Sequence, residues 1–276
     1  MTGSATPASD FDGTVAFLGA GVMGGAVLSG LLAGGLPTER AIATDPSEQT
    51  RARWEERGVR AISDNVEAVS DADVVFLAVK PYAVAGVLDE VAAELKDGTL
   101  VVSIAAGVTI DTLEEHAGEG VPVVRVMPNT PALIREGMFL ISAGRHCTQE
   151  QVDLVESLLT LCGRTEVVEE KQQNVGTALS GSGPAYLFYV ADALVEAAVL
   201  EGMTRPVATR LVEQTLYGSA ALLREGDTPA SILREQVTSP GGSTAVALRA
   251  LDAGAVRHHL GEAISTATRR NEELGG

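Results

Sequence analysis

The chain has 276 residues, with 20 basic against 37 acidic side chains and a formal net charge of −17. So acidic a chain repels phosphate backbones and anionic lipids, which argues against nucleic acid and membranes as partners. It has two cysteines without a CxxC pair and four histidines, so a disulfide framework is excluded and no metal site is expected. We expect a soluble, cytoplasmic protein.

The first part of the chain alternates predicted strands and helices. Residues 1–12 are small and polar and predict a flexible tail. Apolar, Val-rich runs predict buried parallel strands at 14–19, 40–45, 73–79, 99–104 and 121–127. Helices are predicted near 22–34, 47–57 and 82–95, and a capping box at Thr148–Gln151 opens another that runs to about Cys162. This alternation predicts an α/β fold with a Rossmann-type, doubly wound sheet, as a dinucleotide-binding domain of residues 1–170.

The remaining residues, 171–276, predict an all-helical domain for substrate binding and dimerisation. Its helices are expected at 184–202, 206–224, 228–236 and 244–272. The first of them carries few charges and is apolar on most faces, so it should be buried. Because one small helical domain cannot cover such a helix, a partner subunit is its simplest cover. We therefore predict at least a dimer.

A glycine motif follows the first predicted strand. The six residues Gly19, Ala20, Gly21, Val22, Met23 and Gly24 form GxGxxG between that strand and a helix. Its glycines permit a tight turn, a close approach of backbone to a pyrophosphate, and close helix–strand packing. A purely structural glycine turn is the alternative, but the position between strand and helix favours dinucleotide binding.

Polar residues end the next strands. Asp45 lies 21 residues beyond Gly24, where an acid often binds the adenosine ribose hydroxyls and favours NAD; it could equally cap the following helix. Val79 and Lys80 end another strand, where a lysine after an apolar run indicates a cofactor contact. Small residues at Ala105, Ala106 and Gly107 would permit a nicotinamide ring to approach. Met127–Pro131 forms a rigid polar turn at the same edge, for which turn chemistry alone would be a sufficient explanation.

Two motifs open helices in the second half. The segment Ser180–Tyr186, SGSGPAY, favours a hinge and helix start. The segment Val237–Thr244, VTSPGGST, offers backbone N–H groups, hydroxyls and a helix N-terminus with no acidic side chain. Such a loop suits a small carboxylate. The alternative is an ordinary helix cap, although a cap needs one hydroxyl residue and this segment has four.

Together, VTSPGGST, SGSGPAY, AVKP and MPNTP behind an N-terminal GAGxMG resemble pyrroline-5-carboxylate reductase, over nearly the whole chain from about Thr14. The resemblance implies reduction of 1-pyrroline-5-carboxylate to L-proline, the last step of proline synthesis, with NADPH or NADH. It also implies a Rossmann domain and a helical domain that builds an intertwined homodimer, often assembled further as a decamer of five dimers.

The resemblance also implies roles for individual residues. Residues 19–24 would hold the pyrophosphate, Asn65 and Lys80 would contact the cofactor, and Ala105–Gly107 would lie beside it. Ser239 and the segment Gly241, Gly242, Ser243 and Thr244 would hold the substrate carboxylate, with the Thr244 hydroxyl near the ring nitrogen. Glu170 and Asp227 match carboxylates near the substrate. Two departures stand out, because the family commonly has a small polar residue in place of Asp45 and an aspartate in place of Asn174.

Two other functions share part of the pattern. A β-hydroxyacid dehydrogenase has the same glycine fingerprint but uses a lysine of its second domain, and this chain has no lysine after Lys171. A non-catalytic dinucleotide-sensing protein would keep the glycine motif and would not need the SPGGST loop. The chemistry of imine reduction needs position and electrostatics rather than an activated nucleophile or a metal.

Overall fold

The computed structural model describes residues 11–275. These residues form two compact units: the first runs to Gly181 and includes residues 267–275, and the second is Ser182–Thr266. The sequence boundary after Glu170 thus differs from the structural one, because residues 170–181 pack with the sheet of the first unit. Residues 1–10 of the predicted tail lie outside the described residues, and Phe11 already packs against the core.

The first unit contains a single sheet in the described residues. Its order is β3-β2-β1-β4-β5-β6-β7-β8, and all neighbours are parallel except β6 and β7. The reversal between β1 and β4 creates the crevice at which doubly wound sheets bind ligands. The eight strands are β1 (Val15–Leu18), β2 (Ala41–Thr44), β3 (Arg60–Ile62), β4 (Val74–Leu77), β5 (Leu100–Ser103), β6 (Val123–Met127), β7 (Gly137–Ala143) and β8 (Gly163–Val167).

The predicted Rossmann-type fold is confirmed, and five of these strands match predicted ones. The sequence analysis missed β3, β7 and β8. β3 has three residues, and β8 alternates Gly, Arg, Thr and Glu with a largely exposed pattern, so neither has an apolar run to find. β7 is apolar and buried, and it begins at Gly137, beyond the last strand that the sequence analysis predicted.

Helices cover both faces of this sheet. They are α1 (Val22–Ala33), α2 (Glu48–Glu55), α3 (Asn65–Val69), α4 (Val84–Val91), α5 (Ile110–Ala117), α6 (Gln149–Thr160) and α7 (Gln173–Gly176). The capping box that opens α6 is present, with the Thr148 side chain and the Gln151 backbone bonded as predicted. A π-helical turn, Thr177–Gly181, follows α7.

Alternating side chains of the strands pack on opposite faces, as strand geometry requires. Val15 and Phe17 of β1 belong to one apolar cluster, and Ala16 and Leu18 belong to the other. Phe17 stacks on Phe76 of β4 with ring centroids 4.7 Å apart. The sheet is therefore buried on both faces, which explains why its strands are almost wholly apolar in sequence.

The second unit is helical. It contains α8 (Gly183–Leu200), α9 (Arg205–Glu225), α10 (Ala230–Gln236), α11 (Ser243–Ala253) and the first part of α12 (Val256–Gly275). The prediction of one helix over 244–272 is wrong, because the chain breaks between α11 and α12. Ala255 has a left-handed φ of 53°. The N–H of Gly254 donates to the carbonyl of Ala250, which lies in the last turn of α11. Gly254 itself has an ordinary φ of −79°, so the left-handed Ala255 makes the break, although the apolar spacing continues across it.

Helix α8 leaves most of its apolar surface exposed in a single chain. Only Val195 of this helix is buried, while Phe188 and Tyr189 are 69% and 79% exposed. The predicted burial of α8 is therefore not achieved within one subunit. By length and composition alone, residues 170–200 could also cross a membrane, so the expected absence of a membrane partner stays a prediction.

Candidate functional site

The GxGxxG motif forms the loop between β1 and α1. The N–H groups of Gly19 and Ala20 both donate to the carbonyl of Thr44 at 3.0 Å, which fastens the loop to the end of β2. Gly19 has φ +93°, and an added Cβ on Gly24 would overlap the carbonyl of Gly19. These two glycines are therefore required by the backbone itself.

Gly21 has a different reason to be glycine. An added Cβ there would meet no atom within 4 Å, so this position faces open space. Gly21 is also the N-cap of α1, which has no side-chain cap and no acidic residue in its first turn. The first N–H groups of α1 are thus left for an anion, and the cradle fits the pyrophosphate of a dinucleotide.

A cavity of about 700 Å³ opens beside this loop. It brings together residues that the sequence analysis took from separate motifs. Its lining includes Gly19, Gly21, Val22, Met23, Asp45, Asn65, Val79, Lys80, Ala105 and Ala106. Ala20 and Gly24 lie in the loop but do not line the cavity, and Gly107 follows the lining residues directly. The volume and the position at the carboxyl ends of the strands suit a dinucleotide.

Asn65 is fixed at the wall of this cavity. Its Oδ1 accepts a hydrogen bond from the Thr44 hydroxyl at 2.6 Å, and its Nδ2 donates to Glu90 at 3.2 Å. Asn65 is the first residue of α3, which Asp64 caps by accepting from the N–H of Glu67. The side chain therefore links the ends of β2 and α4 and has a defined orientation at the cavity wall.

Asp45 is not the N-cap of α2. That cap is Ser47, whose hydroxyl accepts from the N–H of Thr50 at 3.3 Å, while Asp45 Oδ1 accepts from the N–H of Ser47 at 2.9 Å. Arg51 donates to the carbonyl of Asp45 at 2.7 Å, so its guanidinium is attached to the backbone beside the carboxylate. Asp45 thus lines the cavity with a carboxylate and supports the turn at the same time.

Replacing Asp45 with serine should raise the ratio of kcat/KM for NADPH to that for NADH by about fivefold, because it removes a negative charge that would repel a 2′-phosphate. The comparison of initial rates with the two cofactors measures this ratio. Asp71→Ser, which removes one exposed acid outside the cavity, is the control and should leave the ratio unchanged. An unchanged ratio in the Asp45 variant would mean that this side chain only supports the turn and does not affect cofactor choice.

Lys80 differs from the other lysines of the chain. Among the described residues, Lys96 pairs with Asp73 at 2.7 Å and Lys171 pairs with Glu169, whereas Lys80 has no acidic partner. Lys80 is exposed, follows β4 and lines the cavity. An unpaired cation at a strand end of this crevice fits a phosphate group.

Glu170 has two firm contacts in the first unit. Its Oε1 accepts from the Arg125 guanidinium at 2.9 Å and from the N–H of Ile110 at 2.7 Å. The Arg125 side chain is 7% exposed, so Glu170 neutralises a buried charge in the middle of β6. It also accepts the hydrogen bond of the first N–H of α5. The structure thus gives a stabilising role to this carboxylate, which the resemblance to the family assigned to the substrate site as a catalytic group.

The second unit holds the other predicted cluster. The loop from Ser239 to Gly242 is closed by a bond from the N–H of Gly242 to the carbonyl of Ser239 at 3.0 Å. Gly241 has φ +70°, and an added Cβ on Gly242 would overlap the Ser239 hydroxyl. Gly242 caps α11 without a side-chain bond, and the first turn of α11 has no acidic residue.

This loop has the features of a small anion site. Ser243 and Thr244 begin α11, and the hydroxyls of Ser239 and Thr244 have no hydrogen-bond partner among the described residues. An 11-residue helix with free N-terminal N–H groups attracts a carboxylate. Asp227 lies elsewhere in the same unit, exposed in the connection between α9 and α10.

Neither cysteine is poised as a nucleophile. Burial raises the pKa of the Cys147 thiol, and burial raises the pKa of the Cys162 thiol to about 12. Cys162 is fully buried behind α1, where an added Cβ on Gly30 would overlap its sulfur. A thiol with so high a pKa stays protonated at neutral pH and supplies no thiolate for catalysis.

Two supporting residues escaped the sequence analysis. Trp54, the one tryptophan of the chain, is buried and donates from Nε1 to the carbonyl of Ala20 at 3.0 Å. Arg125 carries the buried charge that Glu170 neutralises. A signal existed for Arg125, since a lone charge interrupts the apolar run Val123–Met127, but the sequence does not reveal its partner.

Comparisons with known proteins match both parts of the chain. A family model described as pyrroline-5-carboxylate reductase dimerisation matches residues 170–274. A model described as NADP oxidoreductase, coenzyme F420-dependent, matches residues 14–107, which include the glycine loop and the cavity lining. The two matched regions thus contain the two clusters described above.

Curated and solved relatives match over nearly the full length. A pyrroline-5-carboxylate reductase of Corynebacterium melassecola is 40% identical, covering 95% of this chain and 98% of the relative. The structure of such a reductase from Coxiella burnetii is 36% identical with a TM-score of 0.93, covering 96% and 100%. A pyrroline carboxylate reductase of Plasmodium falciparum, solved with NADP bound, is 30% identical with a TM-score of 0.85, covering 96% and 99%.

Proposed function

This chain belongs to the pyrroline-5-carboxylate reductase family, and from that premise we propose how its own residues carry out the reaction. The enzyme is an NAD(P)H-dependent oxidoreductase of proline biosynthesis that reduces the C=N bond of 1-pyrroline-5-carboxylate to give L-proline. Neither a β-hydroxyacid dehydrogenase nor a non-catalytic dinucleotide sensor is favoured. Incubation with 1-pyrroline-5-carboxylate and loss of NAD(P)H absorbance test the activity directly.

The first unit holds the hydride donor in this proposal. The loop from Gly19 to Gly24 and the open N-terminus of α1 bind the pyrophosphate, and Lys80 neutralises phosphate charge. Asn65 and Val79 orient the cofactor, and Ala105–Gly107 leave room beside the nicotinamide because they carry no bulky side chain. When bound, the reduced nicotinamide supplies one hydride to the C=N carbon.

The second unit holds the substrate carboxylate. The observation that carries this assignment is the uncapped N-terminus of α11, which has no acidic residue in its first turn and two hydroxyls without a hydrogen-bond partner among the described residues. Ser239 and the N–H groups of Gly241–Thr244 bind the carboxylate, and the Thr244 hydroxyl lies near the ring nitrogen. Thr244 is neutral, so it orients a protonated imine without adding a competing charge.

In this proposal the reaction needs no acidic group of the protein as a proton donor. The imine nitrogen takes its proton from solvent before binding, and the hydride then neutralises the iminium carbon to leave an amine. Glu170 acts through Arg125 and α5 rather than by giving a proton, because both its contacts are structural. Asp227 stays a proposed contact near the substrate, and we place the enzyme in the cytoplasm.

The enzyme forms a homo-oligomer that handles a small-molecule substrate. We propose a homodimer whose α8 faces are covered by the partner subunit, with a decamer of five dimers as a further assembly. In this dimer each active site takes Lys80 from one subunit and Thr244 from the other. The exposed apolar surface of α8 supports the dimer, since burial of such surface drives association.

Mixing Lys80→Ala chains with Thr244→Ala chains tests the sharing. Random mixed dimers should recover about a quarter of wild-type activity, because half of the dimers are mixed and each mixed dimer has one intact site. Each variant refolded alone is the control and should stay impaired. Light scattering should give at least twice the monomer mass of 28.5 kDa. An active monomer would contradict the dimer, and a dimer without recovery would contradict only the sharing.

A further inference from the structure

Two sequence motifs that the reaction does not use directly meet at Asn129. Its Nδ2 donates to the carbonyl of Ser180 at 3.1 Å, and its Oδ1 accepts from the N–H of Met138 at 2.8 Å. Asn129 belongs to the MPNTP turn after β6, and Ser180 belongs to the SGSGPAY segment, 51 residues later. Both ends of the amide are occupied, so its orientation is defined and aspartate cannot replace it.

The Ser180 carbonyl needs a donor from outside its own helix. The residue four positions later is Pro184, which has no N–H to give. The next N–H, that of Ala185, donates to Ser182 at 3.0 Å instead. The Asn129 amide therefore supplies the hydrogen bond that the proline removes from the backbone ladder.

A second contact supports the same junction. Gly181 lies so close to the MPNTP turn that an added Cβ would be 2.8 Å from Met127 Cε. Ser180 and Gly181 are the last residues of a π-helical turn, an irregularity found often at functional sites. This turn is also where the chain passes from the first unit to the second, between Gly181 and Ser182.

We propose that Asn129 is a positioning residue for imine reduction, an inference that rests on the proposed function. It holds the π-helical turn from which α8, the first helix of the second unit, begins. Neither Asn129 nor Ser180 lines the dinucleotide cavity. Loosening this bond should therefore lower turnover and leave cofactor binding intact.

The test uses full-length Asn129→Ala and Asn129→Asp enzymes. We expect kcat with 1-pyrroline-5-carboxylate to fall about fivefold in the alanine variant, the effect of one lost hydrogen bond to a carbonyl, and further in the aspartate variant. The Kd for NADPH, measured by its fluorescence, should stay within about twofold. Gln149→Glu, which adds one negative charge at the exposed start of α6, is the control and should match wild type.

Restoring the backbone donor gives the sharper measurement. Pro184→Ala returns an N–H to position 184, so Asn129→Ala combined with Pro184→Ala should recover part of the lost kcat. Unchanged kcat in both Asn129→Ala and Asn129→Asp would overturn the proposal. A loss of kcat that the double variant does not recover would also overturn it, because the effect would then come from the bond to Met138. A loss of NADPH binding together with kcat would overturn it as well. A wild-type enzyme inactive on the imine would refute the proposed function instead.

Discussion

Replacing Glu170 with alanine should lower the free energy of unfolding by about 2–3 kcal/mol, somewhat less than the ~3–5 kcal/mol for a fully buried pair. The variant leaves the Arg125 guanidinium, which is 7% exposed, without its carboxylate partner, and it leaves the N–H of Ile110 without its acceptor. Glu170 itself is 33% exposed, which moderates the loss. Urea unfolding followed by circular dichroism should show the midpoint shift with an unchanged slope.

Matched variants separate stability from chemistry at this residue. Glu166→Ala removes an exposed acid from β8 and should unfold like wild type. Glu170→Gln keeps an oxygen that accepts from Arg125 and Ile110, so turnover per folded enzyme should stay within about threefold of wild type. A collapse of kcat in a fully folded glutamine variant would indicate that Glu170 transfers a proton and would contradict our assignment.

Replacing Thr244 with alanine should lower turnover with 1-pyrroline-5-carboxylate by ~10–100-fold, the loss of one or two hydrogen bonds to a charged group. The KM for NAD(P)H should barely change, because Thr244 belongs to the second unit and the cavity to the first. Steady-state rates with each ligand varied in turn measure both quantities.

A threonine elsewhere in the second unit provides the control for this variant. Thr215 is exposed on α9, and Thr215→Ala should keep wild-type turnover. The Thr244 hydroxyl has no partner within the described chain, so its removal should not change the melting temperature. Wild-type turnover in Thr244→Ala would remove this residue from the substrate site.

The glycine loop shows what local sequence can predict about a site. The φ of Gly19 and the crowding at Gly24 are properties of neighbouring backbone, and the motif encodes them within six residues. The same holds for Gly241 and Gly242 in the second loop. Strand ends of a parallel sheet converge at one edge, so the meeting of Asp45, Lys80 and Ala105 in one cavity also followed from the βαβ order.

Contacts between distant segments were beyond the sequence. Glu170 matches a carboxylate near the substrate by resemblance, and the sequence does not reveal its partner Arg125, which lies 45 residues away on β6. Asp45 was weighed as a cap, yet Ser47 takes that place. The break at Ala255 interrupts an apolar pattern that continues on both sides. The first two cases depend on which groups reach one hydrogen-bond partner in the folded chain, and the third depends on the backbone conformation of one residue.

The sequence by itself determined the class of this protein, its parallel sheet and its two glycine-rich loops at helix N-termini, because periodicity, glycine conformation and helix ends are local properties of the chain. Only the tertiary structure decided which buried charges are neutralised and which carbonyls need a donor. Arg125 and Ser180 are satisfied by side chains 45 and 51 residues away, and burying a polar group without such a partner is costly. Those pairings depend on the packed arrangement of the strands and turns, which no single segment encodes.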